Sequence, residues 1–252
     1  MAVRLEVNGR PPTAGELVFP ATVNYGHVTA MQVRGRAVRG LDLHLTRLRE
    51  ATRSLWDGDL DTDRVRAYVR HALGEDTDAS VRILVHWPDG DDAPSTMVTV
   101  RPPAEMPAGP LSLESVEYQR AAPHLKHVGG FGQIYYGQLA QQHGFDDALF
   151  VGSGGVIAEG AITNVAFFDG GTVVWPDAPA LAGITMQLLE PRLPSRRAVV
   201  RLRDLPAFQG MFVTNSRGVA PVGRVDDQVL PVDATLMDTV MHVYEDVAWD
   251  DI

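Results

Sequence analysis

The sequence has no cysteine and a single lysine. Without cysteine there is no disulfide framework, no thiolate nucleophile and no thiolate metal site. Long apolar runs are missing as well. Nothing approaches the roughly 20 residues a membrane-crossing helix needs, and the opening MAVRLEVNGRPP lacks the apolar stretch of a secretory leader. Positive charge is scarce: 22 Lys+Arg face 32 Asp+Glu, a net charge of -10. That balance opposes nucleic acid and anionic membrane surfaces as partners. A cytoplasmic location is therefore expected, with no nucleic acid and no membrane partner. What remains is 45% hydrophobic and 21% charged, enough for a sizeable core in one large or two small domains across 252 residues.

The one lysine is Lys126, in HLKHVGGFG, and the other 21 of the 22 basic residues are arginine. Guanidinium stays charged, whereas an ammonium loses its proton readily when desolvated. Lys126 alone among the basic side chains can thus present a neutral amine, attack a carbonyl and form a Schiff base, with a substrate or with pyridoxal phosphate. Gly129 and Gly130 beside it permit close approach to the backbone. A chance survivor in an Arg-biased chain is the bland alternative. His27, His44, His124, His127 and His143 show no metal-ligand spacing, and no metal is expected.

Hydrophobic periodicity and turn residues outline the elements. VRLEV before Asn8-Gly9 reads as a strand entering a hairpin, followed by an extended stretch from 28 to 38 broken near Gly35. Asp42 is expected to cap a helix starting at Leu43, with Leu45, Leu48, Thr52 and Leu55 on its apolar face and His44 and Arg47 off it. Asp61 or Asp63 caps the next helix, which buries Val65, Val69, Ala72 and Leu73 and stops at Gly74. Strands follow at 81–86 and 96–101, and the Pro- and Gly-rich RPPAEMPAGP, 101–110, marks a candidate domain boundary. The second half offers the strand LSLESVEY, a helix at 133–143, hairpins around GSGG and Asp169-Gly170, and a short helix from Gly183. Strands at 198–202 and 211–214 come next, then a helix capped by Asp233. The reading is α+β, with domains at 1–110 and 111–252, the second more barrel-like than doubly wound and carrying the lysine.

A pyridoxal phosphate site needs more than an amine, and the sequence offers a candidate for each further part. Glu159 in VIAEGAITN, with Thr163 and Asn164 after it, is a candidate partner for a pyridine nitrogen. Ile184 and Thr185 stand at a helix start, where free N–H groups and the helix dipole favour an anion. Asn215 and Ser216 in FVTNSRG add a second set of phosphate donors, and Arg47 in HLTRL can bind phosphate bidentately. Taken singly, a capped helix, a polar turn and a solvated arginine explain these equally well.

In this order, the motifs resemble the class IV aminotransferases, the fold-type IV pyridoxal phosphate enzymes. This family includes branched-chain and D-amino acid aminotransferases, (R)-amine transaminases and aminodeoxychorismate lyase. The resemblance runs from about residue 20 to 225. It implies a small N-terminal α/β domain and a larger C-terminal pseudo-barrel domain, with the active site between them at a homodimer interface. It makes Lys126 the Schiff-base lysine, Glu159 the partner of the ring nitrogen and Arg47 the phosphate arginine. Ile184–Thr185 and Asn215–Ser216 become the two phosphate loops. The implied activity is transfer of an amino group from a small amino acid or amine to a keto acid. The alternatives are lyase-type elimination of pyruvate, or a homologue that holds the cofactor without turnover. Three departures bear on the substrate. YGHVTAMQV replaces a GDGxFE-like segment, putting His27 and Ala30-Met31 where an Asp and a Phe-Glu pair are usual. Phe131 replaces a tyrosine near the cofactor's phenolic oxygen, with Tyr135 or Tyr136 as possible substitutes. Met186 follows GIT where Arg is common. Arg34, Arg36, Arg82 and Arg217 are candidates for the substrate carboxylate.

Overall fold

The computed structural model describes residues 3–252, which divide into two compact units. One takes the chain up to Ala104 and adds Leu125–Gly129 and Ala248–Ile252; the other comprises Glu105–His124 and Gly130–Val247. The boundary expected within 101–110 thus falls between Ala104 and Glu105. Leu125–Gly129 and Ala248–Ile252 return to the first unit, where each forms backbone hydrogen bonds with its strands. Lys126 is in the former segment.

The first unit contains β1 (Arg4–Val7), α1 (Ala14–Thr22), β2 (His27–Val33), β3 (Ala37–Arg39), α2 (Leu41–Trp56), α3 (Thr62–Leu73), β4 (Ala79–His86) and β5 (Ser95–Arg101). The sheet runs β1-β5-β4-β2, antiparallel throughout. Side chains alternate across a strand. Met31, Val33, Val81, Ile83, Val85, Val98 and Val100 therefore share one face, and they form a single core with Leu48 of α2 and with Val65, Val69 and Leu73 of α3. Asp61 caps α3 as expected, accepting from the Arg64 N–H at 3.0 Å. The start of α2 differs from the reading. Its N-cap is Gly40, in the left-handed region at φ 72°, and the Leu41 N–H is satisfied by Asp250 Oδ2 at 2.9 Å. Asp42 lies in the first turn, where its charge favours the helix dipole without capping. The sequence reading passed over α1, which starts with a Thr13–Glu16 capping box and buries none of its residues.

The second unit contains β6 (Leu111–Glu117), α4 (Phe131–Gln142), β7 (Asp147–Gly152), β8 (Val156–Gly160), β9 (Asn164–Phe168), β10 (Val173–Pro176), α5 (Ile184–Leu189), β11 (Ser195–Ala198), β12 (Gly210–Asn215), β13 (Gly218–Val225), β14 (Gln228–Val229) and α6 (Ala234–Glu245). The sheet order is β11-β10-β9-β12-β13-β6-β7-β8, with β14 on β13. Its two ends curl toward each other: the Ile157 N–H of β8 donates to the Val200 carbonyl just past β11 at 2.8 Å, and Val156 bridges Arg201. The half-barrel this makes has two apolar faces. Val165, Phe167, Met211 and Val213 pack into one core, while Ala166, Trp175 and Phe212 pack into another with Leu189 of α5 and Val240 of α6. The expected strand at 198–202 is corrected. β11 ends at Ala198, and a 3₁₀ helix follows at Leu202–Ala207, started by the Arg201 N–H bonding Asp204 at 2.9 Å. A final strand, β15 (Trp249–Asp251), pairs with β3 in the first unit. Among the described residues no helix is long and apolar enough to cross a membrane.

Candidate active site

In the first unit the lysine-bearing segment is added to a sheet edge. β2 is an outer strand of the four. Its Val28 N–H donates to the Lys126 carbonyl at 2.7 Å, the Val128 N–H donates to the Gly26 carbonyl at 2.9 Å, and His27 bridges His127 between them. The pairing requires glycine at 26, since a Cβ there would lie 2.6 Å from the Val85 carbonyl oxygen. With the register fixed, Lys126 stands opposite Val28.

One face of β2 carries a buried polar layer against α2. His27 Nε2 lies 2.9 Å from Thr52 Oγ1, and Thr29 Oγ1 lies 2.7 Å from His44 Nδ1. Both rings are kept neutral. Burial pushes His27 down to about 4, and burial with the nearby charges of Arg47 and Lys126 pushes His44 down to about 3. Arg47 and Lys126, 79 positions apart in sequence, thus act on the same imidazole. His27, singled out as a departure in a segment tied to the substrate pocket, is fully buried with its ring turned to Thr52.

In the second unit the acidic candidate is Glu159, at the end of β8 and 5% exposed. Its Oε2 accepts the Leu181 N–H at 3.1 Å, and its Oε1 lies 3.4 Å from Arg120 Nη1. The Leu181 carbonyl in turn accepts from Asn164 Nδ2 at 2.6 Å. A Cβ on Gly183 would overlap Asn164 Oδ1, so Asn164 packs directly on the turn into α5. Thr163 closes the 160–163 turn through its carbonyl, which accepts the Gly160 N–H at 2.8 Å; its buried hydroxyl over Gly160 has no protein partner. Among the described residues no side chain caps α5, which begins with the buried Ile184 and Thr185. The Thr185 hydroxyl donates to the Asn215 carbonyl at 2.7 Å, tying this helix start to the β12–β13 turn, where Asn215 Oδ1 accepts the Arg217 N–H at 2.8 Å beside Ser216. Glu159, Asn164, Ile184, Thr185 and Asn215 therefore belong to one connected network.

The sequence reading did not pick out Arg120, because nothing local distinguishes it from the other arginines. It also left four arginines equal, and the structure separates them. Arg34 is used on the Val33 and Ala104 carbonyls and Arg36 on those of Gly74 and Asp76. Arg217 is exposed in a turn. Arg82 projects from the sheet face away from the core, where desolvation and the charge of Arg101 lower its pKa. Of the possible replacements for the missing tyrosine, Tyr136 packs with Tyr118 and Phe150, whereas Tyr135 is exposed and stacks on Phe131 at 5.7 Å.

Residues 26–225 match the family model described as amino-transferase class IV. Among solved structures, a hypothetical aminotransferase from Mycobacterium tuberculosis in a PLP-bound form superposes with TM-score 0.82 at 20% identity, covering 97% of this chain and 98% of that one. The fold IV-transaminase CpuTA1 from Curtobacterium pusillum gives 0.79 at 22% identity, covering 90% and 88%. A putative 4-amino-4-deoxychorismate lyase from Legionella pneumophila gives 0.80 at 17%, covering 90% and 93%. No curated protein sequence matches.

Proposed function

The chain belongs to the class IV aminotransferases, and from that premise we propose a pyridoxal phosphate-dependent aminotransferase that moves the amino group of a small amino acid or amine to a keto acid. The observation carrying the proposal is that the only lysine in the chain lies inside the family match and is fixed by backbone hydrogen bonds along the edge of β2. The donor set fits the cofactor. In the second unit, the N–H groups of Ile184 and Thr185 and the polar groups of Asn215 and Ser216 suit a phosphate; in the first unit, the guanidinium of Arg47 is by its chemistry a phosphate donor. Glu159 suits a protonated ring nitrogen, with Thr163 and Asn164 shaping the turn that follows it.

When bound, pyridoxal phosphate supplies an electron-withdrawing ring that spreads negative charge from the substrate Cα. Lys126 Nζ would hold the cofactor covalently, and its free amine would take the proton from the substrate Cα as general base. The neutral imidazole of His44 spares this lysine a further positive neighbour besides Arg47. Glu159 would hold the protonated ring nitrogen, and Arg82 is the candidate for the substrate carboxylate. The proposed form is a cytoplasmic homodimer, which light scattering would test by mass.

An absorbance titration tests the reading. Saturation with pyridoxal phosphate should produce a visible band that borohydride removes, and Lys126→Ala should abolish the covalent link. A donor panel of D- and L-amino acids and amines, with aminodeoxychorismate alongside, separates the reactions. Keto acid released beyond one equivalent per enzyme only with an acceptor present indicates transamination. Pyruvate released from aminodeoxychorismate indicates the lyase. A band that no donor bleaches indicates a non-catalytic homologue, and a protein that stays colourless overturns the proposal.

A further inference from the structure

The buried partner of Glu159 has no place in the reading above. Arg120 is 7% exposed, and its Nη1 lies 3.4 Å from both Glu159 Oε1 and the Pro123 carbonyl. The two side chains are 5% and 7% exposed, so neither charge is covered by solvent. A carboxylate buried without a countercharge takes up a proton and ceases to be a pure acceptor. A guanidinium cannot lose its own proton, so it is a permanent countercharge. It also approaches from one direction. Arg120 engages Oε1 while the Leu181 N–H engages Oε2, which fixes the plane of the carboxylate from two sides. The Leu181 peptide is itself fastened by Asn164.

Resting on the proposed cofactor, we infer that Arg120 is a positioning residue: through Oε1 it keeps Glu159 charged and in one orientation, so that Glu159 selects a ring carrying a protonatable nitrogen. Arg120 acts here only through Glu159. It adds no proton transfer of its own, and its removal changes what Glu159 recognises.

The test compares two ligands, pyridoxal phosphate and its 1-deaza analogue, in which the ring nitrogen is a C–H group. Affinities for both are measured at one pH in wild type, Arg120→Met, Arg120→Gln, Arg120→Lys, Glu159→Gln and the Arg120→Met/Glu159→Gln double variant. Melting curves confirm that each is folded. Wild type should prefer pyridoxal phosphate. Arg120→Met should reduce that preference by about tenfold, the size of one hydrogen bond to a charged group. Arg120→Gln, which keeps a donor but no charge, should do the same even if the Met variant fails to fold. Arg120→Lys should recover most of the preference. In the Glu159→Gln background, adding Arg120→Met should change nothing, because the route through Glu159 is already cut. A folded Arg120→Met or Arg120→Gln protein with the wild-type preference overturns the inference, as does a loss that adds fully to that of Glu159→Gln. Either result leaves the cofactor reading standing if wild type still forms its borohydride-sensitive band. A wild-type protein that binds neither ligand overturns both.

Discussion

The two units bury their titratable groups in different ways. In the first, His27 and His44 lie between sheet and helix as neutral rings, each bonded to a threonine hydroxyl. In the second, Glu159 is buried against the permanent charge of Arg120. Asp147, at the start of β7, is partly buried and accepts the N–H groups of Ala148 and Ile162, and desolvation, with the charge of Asp146, pushes it up to about 6. Neutral burial makes a group sensitive to pH, whereas paired burial makes it sensitive to loss of its partner. The carboxylate proposed to face the cofactor is of the second kind, because its partner carries a permanent charge.

The comparison can be broken at several points. The largest expected effect is Arg120→Met, which strands a buried carboxylate and should cost about 3 kcal/mol or more of stability in urea unfolding. If the loss is negligible, paired burial is not what holds Glu159. Next is Gly183→Ala. The added methyl meets Asn164 Oδ1, so the turn into α5 must shift, at about 2 kcal/mol. The same variant should weaken phosphate binding in a titration with inorganic phosphate.

The histidine layer predicts a pH slope. The folded pKa values of His27 and His44 lie below the unfolded value, so the unfolded chain binds more protons as pH falls. Stability is therefore full above about 6.5 and declines below it, by up to about 1.4 kcal/mol per pH unit for each ring, toward about 4 for His27 and about 3 for His44. His44→Gln should remove one ring's share of the slope in unfolding curves between pH 7 and 5. Asp147 has the opposite sign. Its folded pKa lies above the unfolded one, so its contribution is present below about 4 and lost as pH rises through about 6. Asp147→Asn should raise stability at pH 7.5 by about 1 kcal/mol and leave it unchanged near pH 4. An equal gain at both pH values would assign the effect to packing instead.

Much of this was legible because it is local. GSGG and Asp169-Gly170 marked turns whose flanking strands pair as read, whereas β1 before Asn8-Gly9 pairs with β5 and the chain runs on into α1 instead of a hairpin strand. Asp61 and Asp233 cap α3 and α6 three residues ahead of the N–H groups they accept. The misreadings share a cause. Asp42 looked like a cap because nothing nearby competed with it, but Leu41 is satisfied by Asp250, 209 positions away. His44 was read as lying off the apolar face of its helix, yet it is 3% exposed because Thr29 offers its ring a partner. The strand expected at 198–202 gave way to a 3₁₀ helix because Asp204 takes the Arg201 N–H.

The amino-acid sequence by itself determined the chemistry available. One amine can become neutral among 21 guanidinium groups, and ordered motifs carry an acid, two candidate sets of phosphate donors and their turns. Composition and short-range periodicity hold that information, since capping, turn formation and alternation act over a few residues. Only the tertiary structure decided that residues 125–129 complete an edge beside β2, that Arg47 and Lys126 act on one imidazole, and that Arg120 holds Glu159. Those outcomes depend on hydrogen-bond and charge partners dozens of positions apart, and folding alone brings such partners within reach of each other.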